Sequence, residues 1–284
     1  MFVYGHLMIP DTGRTDGLTI TMAIEVADVG GVPLTITDRG QGHLILLLHG
    51  GGGPPTVSGF ADLLAGSEHA RVITPTHPGF DGTPRPTSLD SVGRLAALHV
   101  NLLDELNLSD VTVIGNSVGG WIAAEMAILG SERVSSVILV DAVGIDVPEH
   151  PVVDFFSLTM DDVARLSYHD PDTFGIDPTK LPPAAQAAMA TNRVALAVYG
   201  GAGMTDPGLN ARLSAITVPT LVLRGASDRI VDPDFGRAFA SAIPAATFRL
   251  LEGTGHLPQI ETPDLLLRAV WEFAAAHATS RPAS

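Results

Sequence analysis

The chain has 284 residues, 45% of them hydrophobic, enough for one large α/β domain or a domain carrying an insertion. No apolar run approaches the ~18 residues of a membrane span. With 16 basic against 31 acidic residues (net −15, Lys180 the only lysine) and no cysteine, nucleic acid and anionic membranes are excluded as natural partners, and thiolate chemistry is excluded outright.

Residues 1–17 read as an N-terminal arm with no basic start and no cleavage site, so no signal peptide is expected and the cytoplasm is the expected location. Packing of the arm on a second copy makes a homodimer one option. Residues 19–38 alternate around Val29-Gly30-Gly31-Val32 and predict a β-hairpin. Leu44–Leu48 is wholly apolar, as in a strand buried on both faces, and it runs into the glycine-rich loop His49–Gly53, then Pro54-Pro55. Val72–Pro75 is a further strand. Ser88–Leu106 has helical spacing, with Ser88 or Asp90 as N-cap.

Val111–Ile114 reads as a buried strand that turns at Gly115-Asn116-Ser117-Val118-Gly119 into an apolar helix. Val137–Val140 is the next strand, ending at Asp141. Residues 144–216 contain helical patches at Val152–Leu158, Asp161–Tyr168, Pro183–Tyr199 and Leu209–Ile216, punctuated by Pro and Gly. Strands return at Thr220–Leu223 and Thr247–Leu251, separated by a helix near Asp234–Ala242, and a helix over Thr262–Ala276 closes the chain. Strands alternating with helices predict an α/β fold with a mostly parallel twisted sheet flanked by helices. The expected division is an α/β core over 18–143 and 217–284, with a helical cap over 144–216 above the carboxyl edge of the sheet, where such sheets bind ligands.

A Gly-x-Ser-x-Gly pentapeptide is weak evidence in a chain with 30 glycines, but a strand before it and a helix after it are the setting of a nucleophile elbow. Ser117 then needs a base, and the base needs a carboxylate. Of ten histidines, His256 lies in a small-residue loop directly after a strand, within Glu252-Gly-Thr-Gly-His256-Leu257. Asp228 sits in the turn after Thr220–Leu223, whereas Asp232 before Pro233 suits a helix N-cap; Asp141 is the fallback acid. The expected oxyanion donors are the Val118 amide and that of Gly51, with Gly52 next. Pro54-Pro55 stands where a phosphate-binding loop would need Lys-Ser/Thr, and no His/Asp/Glu set has metal-ligand spacing, so neither cofactor nor metal is expected.

Taken together, His49-Gly-Gly-Gly, Gly-Asn-Ser117-Val-Gly-Gly, Gly-Ala-Ser-Asp228 and Gly-Thr-Gly-His256 resemble the α/β-hydrolase superfamily with a helical cap, over roughly residues 20–277. The resemblance implies the fold, the triad roles and a pocket between core and cap. Asn116 and the His-Gly-Gly-Gly loop are similar to the meta-cleavage carbon–carbon bond hydrolases, whose pattern has tryptophan where this chain has Leu257; the resemblance offers Arg193 as the counterpart of their cap arginine, with a surface charge as the other reading. Phe155, Phe156 and Met189 in the cap, with Trp121 and Leu257 in the core, suggest an apolar substrate site.

The leading expectation is a serine hydrolase of a small apolar carboxylic ester, thioester or lactone. Hydrolysis of a vinylogous diketone by the same triad is the alternative. A ligand-binding receptor that retains the fold is the non-enzymatic one.

Overall fold

In the computed structural model, which describes residues 22–67 and 69–277, Gly30 and Gly31 take φ of 60° and 85° and close a hairpin between β1 (Met22–Val29) and β2 (Val32–Gly40). The arm expected over residues 1–17 lies outside the described residues. There follow β3 (His43–Leu48), α1 (Pro55–Gly66), β4 (Ala70–Pro75), α2 (Val92–Glu105), β5 (Val111–Asn116), α3 (Val118–Ile128) and β6 (Val134–Val140). Helices α4 (Met160–Ser167), α5 (Pro171–Phe174), α6 (Pro183–Gly200) and α7 (Leu209–Arg212) lie between β6 and β7 (Thr220–Gly225). The chain ends with α8 (Pro233–Ser241), β8 (Thr247–Leu251), α9 (Pro258–Glu261) and α10 (Pro263–His277).

The strands form one eight-stranded sheet in the order β1-β2-β4-β3-β5-β6-β7-β8. β2 is antiparallel to both neighbours, and every pairing from β4 to β8 is parallel. Apolar runs without alternation serve both faces. Leu46 and Leu48, with Val113, Leu139 and Val222, pack under α2, α3 and α8. Ile45 and Leu47, with Ile114, Ile138 and Leu223, pack under α1 and α10. Burying each such side chain contributes about 1.5–3 kcal/mol, so this three-layer core is the main source of stability. Among the described residues, no helix is long and apolar enough to cross a membrane.

The local differences from the sequence reading have physical causes. Pro54-Pro55 does not prolong the loop but starts α1, because proline fits the first helical turn, where its missing N–H costs nothing. α2 begins later than expected, with Ser91 as the cap accepting from the Arg94 amide. The patch at Val152–Leu158 forms turns instead of a helix, and the Val153 amide bonds across to the Ile230 carbonyl on the loop after β7.

The connection from β3 passes to the α1 face and that from β5 to the α3 face. The loops after these adjacent strands therefore diverge and leave a crevice at the carboxyl edge. At its bottom, Ser117 sits at φ 56°, ψ −119°. The turn closes because a Cβ on Gly115 would lie 2.0 Å from the Gly119 carbonyl oxygen, and one on Gly119 would lie 2.4 Å from that of Leu48. Both obstacles are backbone and cannot move aside.

Gly115→Ala is accordingly expected to destabilise the fold by about 3 kcal/mol or more. Gly59→Ala, in the exposed interior of α1 with open space around it, should stabilise by about 0.5–1 kcal/mol. Urea unfolding of both variants checks the contrast, and equal effects would contradict it.

Candidate active site

Ser117, Asp228 and His256 come from the loops after β5, β7 and β8, all at the same edge of the sheet. The structure joins them in one hydrogen-bonded chain. The Ser117 hydroxyl donates to His256 Nε2 at 2.9 Å, and His256 Nδ1 donates to Asp228 Oδ2 at 2.8 Å. The His256 backbone is pinned on both sides: its amide donates to the Ser167 carbonyl, and its carbonyl accepts from Asn116 Nδ2. Gln259 in turn holds the Asn116 side-chain oxygen. Asn116, beside Ser117, thus fixes the His256 backbone.

Asp228 is fully buried and has a partner at every approach. The Ile230 and Val231 amides donate to Oδ1, and Arg224 Nη1 donates to Oδ2 at 3.1 Å. Burial pushes its pKa up, but the charge and hydrogen bond of His256, with Arg224 and the Val231 amide, more than offset this and hold it below the usual carboxylate range. For His256, burial lowers the pKa and the Asp228 charge and hydrogen bond raise it, with help from Asp141; the net shift is upward. A base of raised pKa beside an ionised acid is suited to taking a proton from Ser117 as it attacks. Asp232, as expected, caps α8 through the Phe235 amide.

Asp141, Asp228 and His256 bring potential ligand atoms within 4.8 Å of one another. The cation already among them is the buried Arg224 guanidinium, 3.1 Å from Asp228 and 3.8 Å from Asp141. A metal ion would have to displace it.

The loop His49–Gly53 lies against the nucleophile, where a Cβ on Gly50 would be 3.2 Å from Ser117 Cβ. Among the described residues, the amides of Gly51, Gly52 and Val118 donate no hydrogen bond within the protein. Val118 begins α3, whose dipole adds partial positive charge at that point. From the β6–β7 segment, Asn192 on α6 bridges this loop by donating to the Gly52 carbonyl and accepting from the Asp81 amide. Leu196, one turn further, covers Gly51, where a Cβ would meet its Cδ2 at 2.5 Å.

Beneath the loop lies a chain of three buried histidines that the sequence reading did not connect. The His77 amide donates to His49 Nε2, so the His49 proton sits on Nδ1 and is donated to the Gly50 carbonyl. His77 Nε2 then donates to the His49 carbonyl, and His99 Nε2 donates to His77 Nδ1. This pattern requires the His49 and His77 rings, which each accept through one nitrogen, to be neutral. Burial lowers His49 to about 4 and His99 to about 3, and it takes His77 well below its ordinary value. One signal was available: His49 and His77 follow the adjacent parallel strands β3 and β4.

The remaining predicted residues are distributed more widely. Trp121 is buried under the β6–β7 segment, against Gly144 and Gly200. Phe155 and Phe156 pair at 4.4 Å. Arg193 donates to both of their carbonyls and lies over both rings, which ties it to that segment. Met189 and Leu257 are half-buried, Met189 one turn before Arg193 and Leu257 next to His256.

Because the three histidines are neutral when folded and titrate near 6.5 when unfolded, their contribution to stability is present above pH 6.5 and lost as pH falls toward 4. Each accounts for up to about 1.4 kcal/mol per pH unit. Stability measured by denaturant unfolding should therefore fall steeply between pH 6.5 and 4. His99→Gln, which keeps a donor but cannot ionise, should make that fall shallower; an unchanged slope would contradict a neutral His99.

A model described as the alpha/beta hydrolase family matches residues 45–269. The chain is similar to 2-hydroxymuconate semialdehyde hydrolase of Pseudomonas putida, 28% identical over 86% of this chain and 92% of that protein. It is also similar to Lipase 1 of Psychrobacter immobilis, 27% identical over 78% and 74% of the two chains. Among solved structures, a serine hydrolase involved in carbazole degradation superposes with a TM-score of 0.73, at 23% identity, over 90% of this chain and all of the other. With its eight-stranded, mostly parallel sheet, its serine elbow and a family match covering most of its length, this chain belongs to the alpha/beta hydrolase family.

Proposed function

We propose that the protein hydrolyses a carbon–carbon bond beside a ketone in a vinylogous diketone of the meta-cleavage type, through an acyl-enzyme on Ser117. The observation that carries the chemistry is the continuous hydrogen-bonded chain from Ser117 through His256 to Asp228. The substrate class is supported by the similarity to 2-hydroxymuconate semialdehyde hydrolase over nearly the whole chain.

Ser117 Oγ attacks the ketone carbon while its proton passes to His256 Nε2. Negative charge develops on the former carbonyl oxygen, within reach of the free Val118 and Gly51 amides. Collapse of this adduct breaks the carbon–carbon bond. The departing carbon keeps the electron pair, spreads it over the conjugated dienolate and takes up the proton held on His256 Nε2, which leaves the imidazole neutral again. His256 then takes a proton from water, which attacks the acyl group, releases the acid and restores Ser117. Vinylogous conjugation is what makes carbon a tolerable leaving group here. No cofactor enters these steps.

Hydrolysis of an ester, thioester or lactone is the second reading. It uses the same acyl chemistry, and it is supported by apolar Leu257 beside the base and by the similarity to a lipase.

Two substrate sets separate these readings: a meta-cleavage diketone and a panel of short- to medium-chain p-nitrophenyl esters, each given to wild type and Ser117→Ala. The expected result is a higher kcat/KM on the diketone and a loss of about 10⁴-fold or more in the variant. Higher kcat/KM on an ester would replace the first reading by the second. Full activity of Ser117→Ala would overturn both.

A further inference from the structure

Asp141, at the end of β6, is buried and unused by the chemistry above. Its Oδ1 accepts from the Gly225 amide at 2.8 Å, while Oδ2 has no hydrogen-bond partner. β6 lies between β5 and β7 in the sheet, so its carboxyl end falls between the nucleophile and the acid loop. A carboxylate oxygen of Asp141 lies within 4.8 Å of a ring nitrogen of His256 and of an oxygen of Asp228. The shortfall from hydrogen-bond distance is no more than about 2 Å, within reach of a side-chain adjustment.

We propose that Asp141 is a second acid for His256, a positioning residue that helps to charge the imidazole and takes over when Asp228 cannot. An unpartnered carboxylate oxygen is costly to bury, and its residue lies within 4.8 Å of the group that becomes positive each time Ser117 gives up its proton. The charged groups around it are Arg224 from β7, Asp228 from the loop after β7 and His256 from the loop after β8; Glu261 of α9 binds the Gly255 amide behind His256. One guanidinium thus serves two carboxylates. Burial and repulsion from Asp228, against the attraction of Arg224, raise Asp141 to about 7, so its charge changes in the neutral pH range. The inference rests on Ser117 acting as nucleophile and is independent of the substrate class.

The test uses Asp228→Asn, Asp141→Asn and the double variant, with folding confirmed by circular dichroism. The readouts are the rate of covalent labelling of Ser117 by a fluorophosphonate and, on any substrate turned over, kcat and KM from pH 5 to 9. Asp228→Asn is expected to lose about 10–100-fold, because Asp141 substitutes, and the double variant to approach a 10⁴-fold loss, of the order of a triad without its acid. Asp141→Asn should lose about 3–10-fold with KM unchanged. Its acid limb should move to lower pH, because removing a nearby negative charge makes His256 less basic.

Asp228→Asn as slow as the double variant, or an acid limb unmoved in Asp141→Asn, would overturn the proposal. If the Asp141 variants fail to fold, Asp228→Asn alone decides. Its residual rate must stay within about 100-fold of wild type where Asp141 is ionised, and a rate near 10⁴-fold below wild type at every pH overturns the takeover. Failure of wild type to label would overturn both this inference and the acyl-enzyme reading, whereas labelling that ignores Asp141 overturns this inference alone.

Discussion

Backbone passes backbone at the elbow with no room for a Cβ, and the rest of the site depends on that contact. Gly115 and Gly119 let α3 start within touching distance of β5 and β3, which forces Ser117 to φ 56° and raises its hydroxyl above the sheet edge. A non-glycine residue in such a conformation costs of order 1–3 kcal/mol and persists only when its surroundings leave no alternative. The surroundings here are deeply buried: every α3 residue from Val118 to Ala127 is buried. The strain is held by the core and delivered to the nucleophile.

Electrostatics impose the second constraint. Two buried carboxylates and a buried guanidinium meet beneath His256, and burial alone would neutralise both acids. They differ in what else they touch. Four donors reach Asp228, which stays ionised, while Asp141 has one donor and a bare oxygen and is raised toward neutrality. The surroundings therefore separate two chemically identical side chains into a permanent partner for the base and a titratable one.

The segment between β6 and β7 is tied to the loops around Ser117 and His256. Its Ser167 carbonyl holds the His256 amide, its Asn192 ties the Gly52 loop to the Asp81 turn, and its Leu196 covers Gly51. Tyr199, on the same face of α6, donates to the Pro78 carbonyl. Below the loop, the three neutral histidines fix it from the core side. The loop bearing the free amides is thus clamped from above and below, which keeps its donors aimed without reorganisation during the reaction.

The sequence by itself determined the sheet and the elbow, and it picked out the three residues that the structure joins in one hydrogen-bonded chain. Apolar runs such as Leu44–Leu48 carry their own evidence of two-sided burial, and Ser117, Asp228 and His256 each sit in a short motif tied to a strand end. Those signals are local, so they survive without knowledge of packing. Only the tertiary structure decided what meets what across the edge: that Arg224 is shared between Asp141 and Asp228, that His49, His77 and His99 form one neutral chain, and that Asn116 fixes the His256 backbone from 140 residues away. The structure also decided that Trp121 packs under the segment between β6 and β7 and that Arg193 binds the carbonyls of Phe155 and Phe156. Long-range contacts of this kind leave no periodicity or spacing in the chain, because the partners come together only when separate strand ends are brought to one side of the sheet.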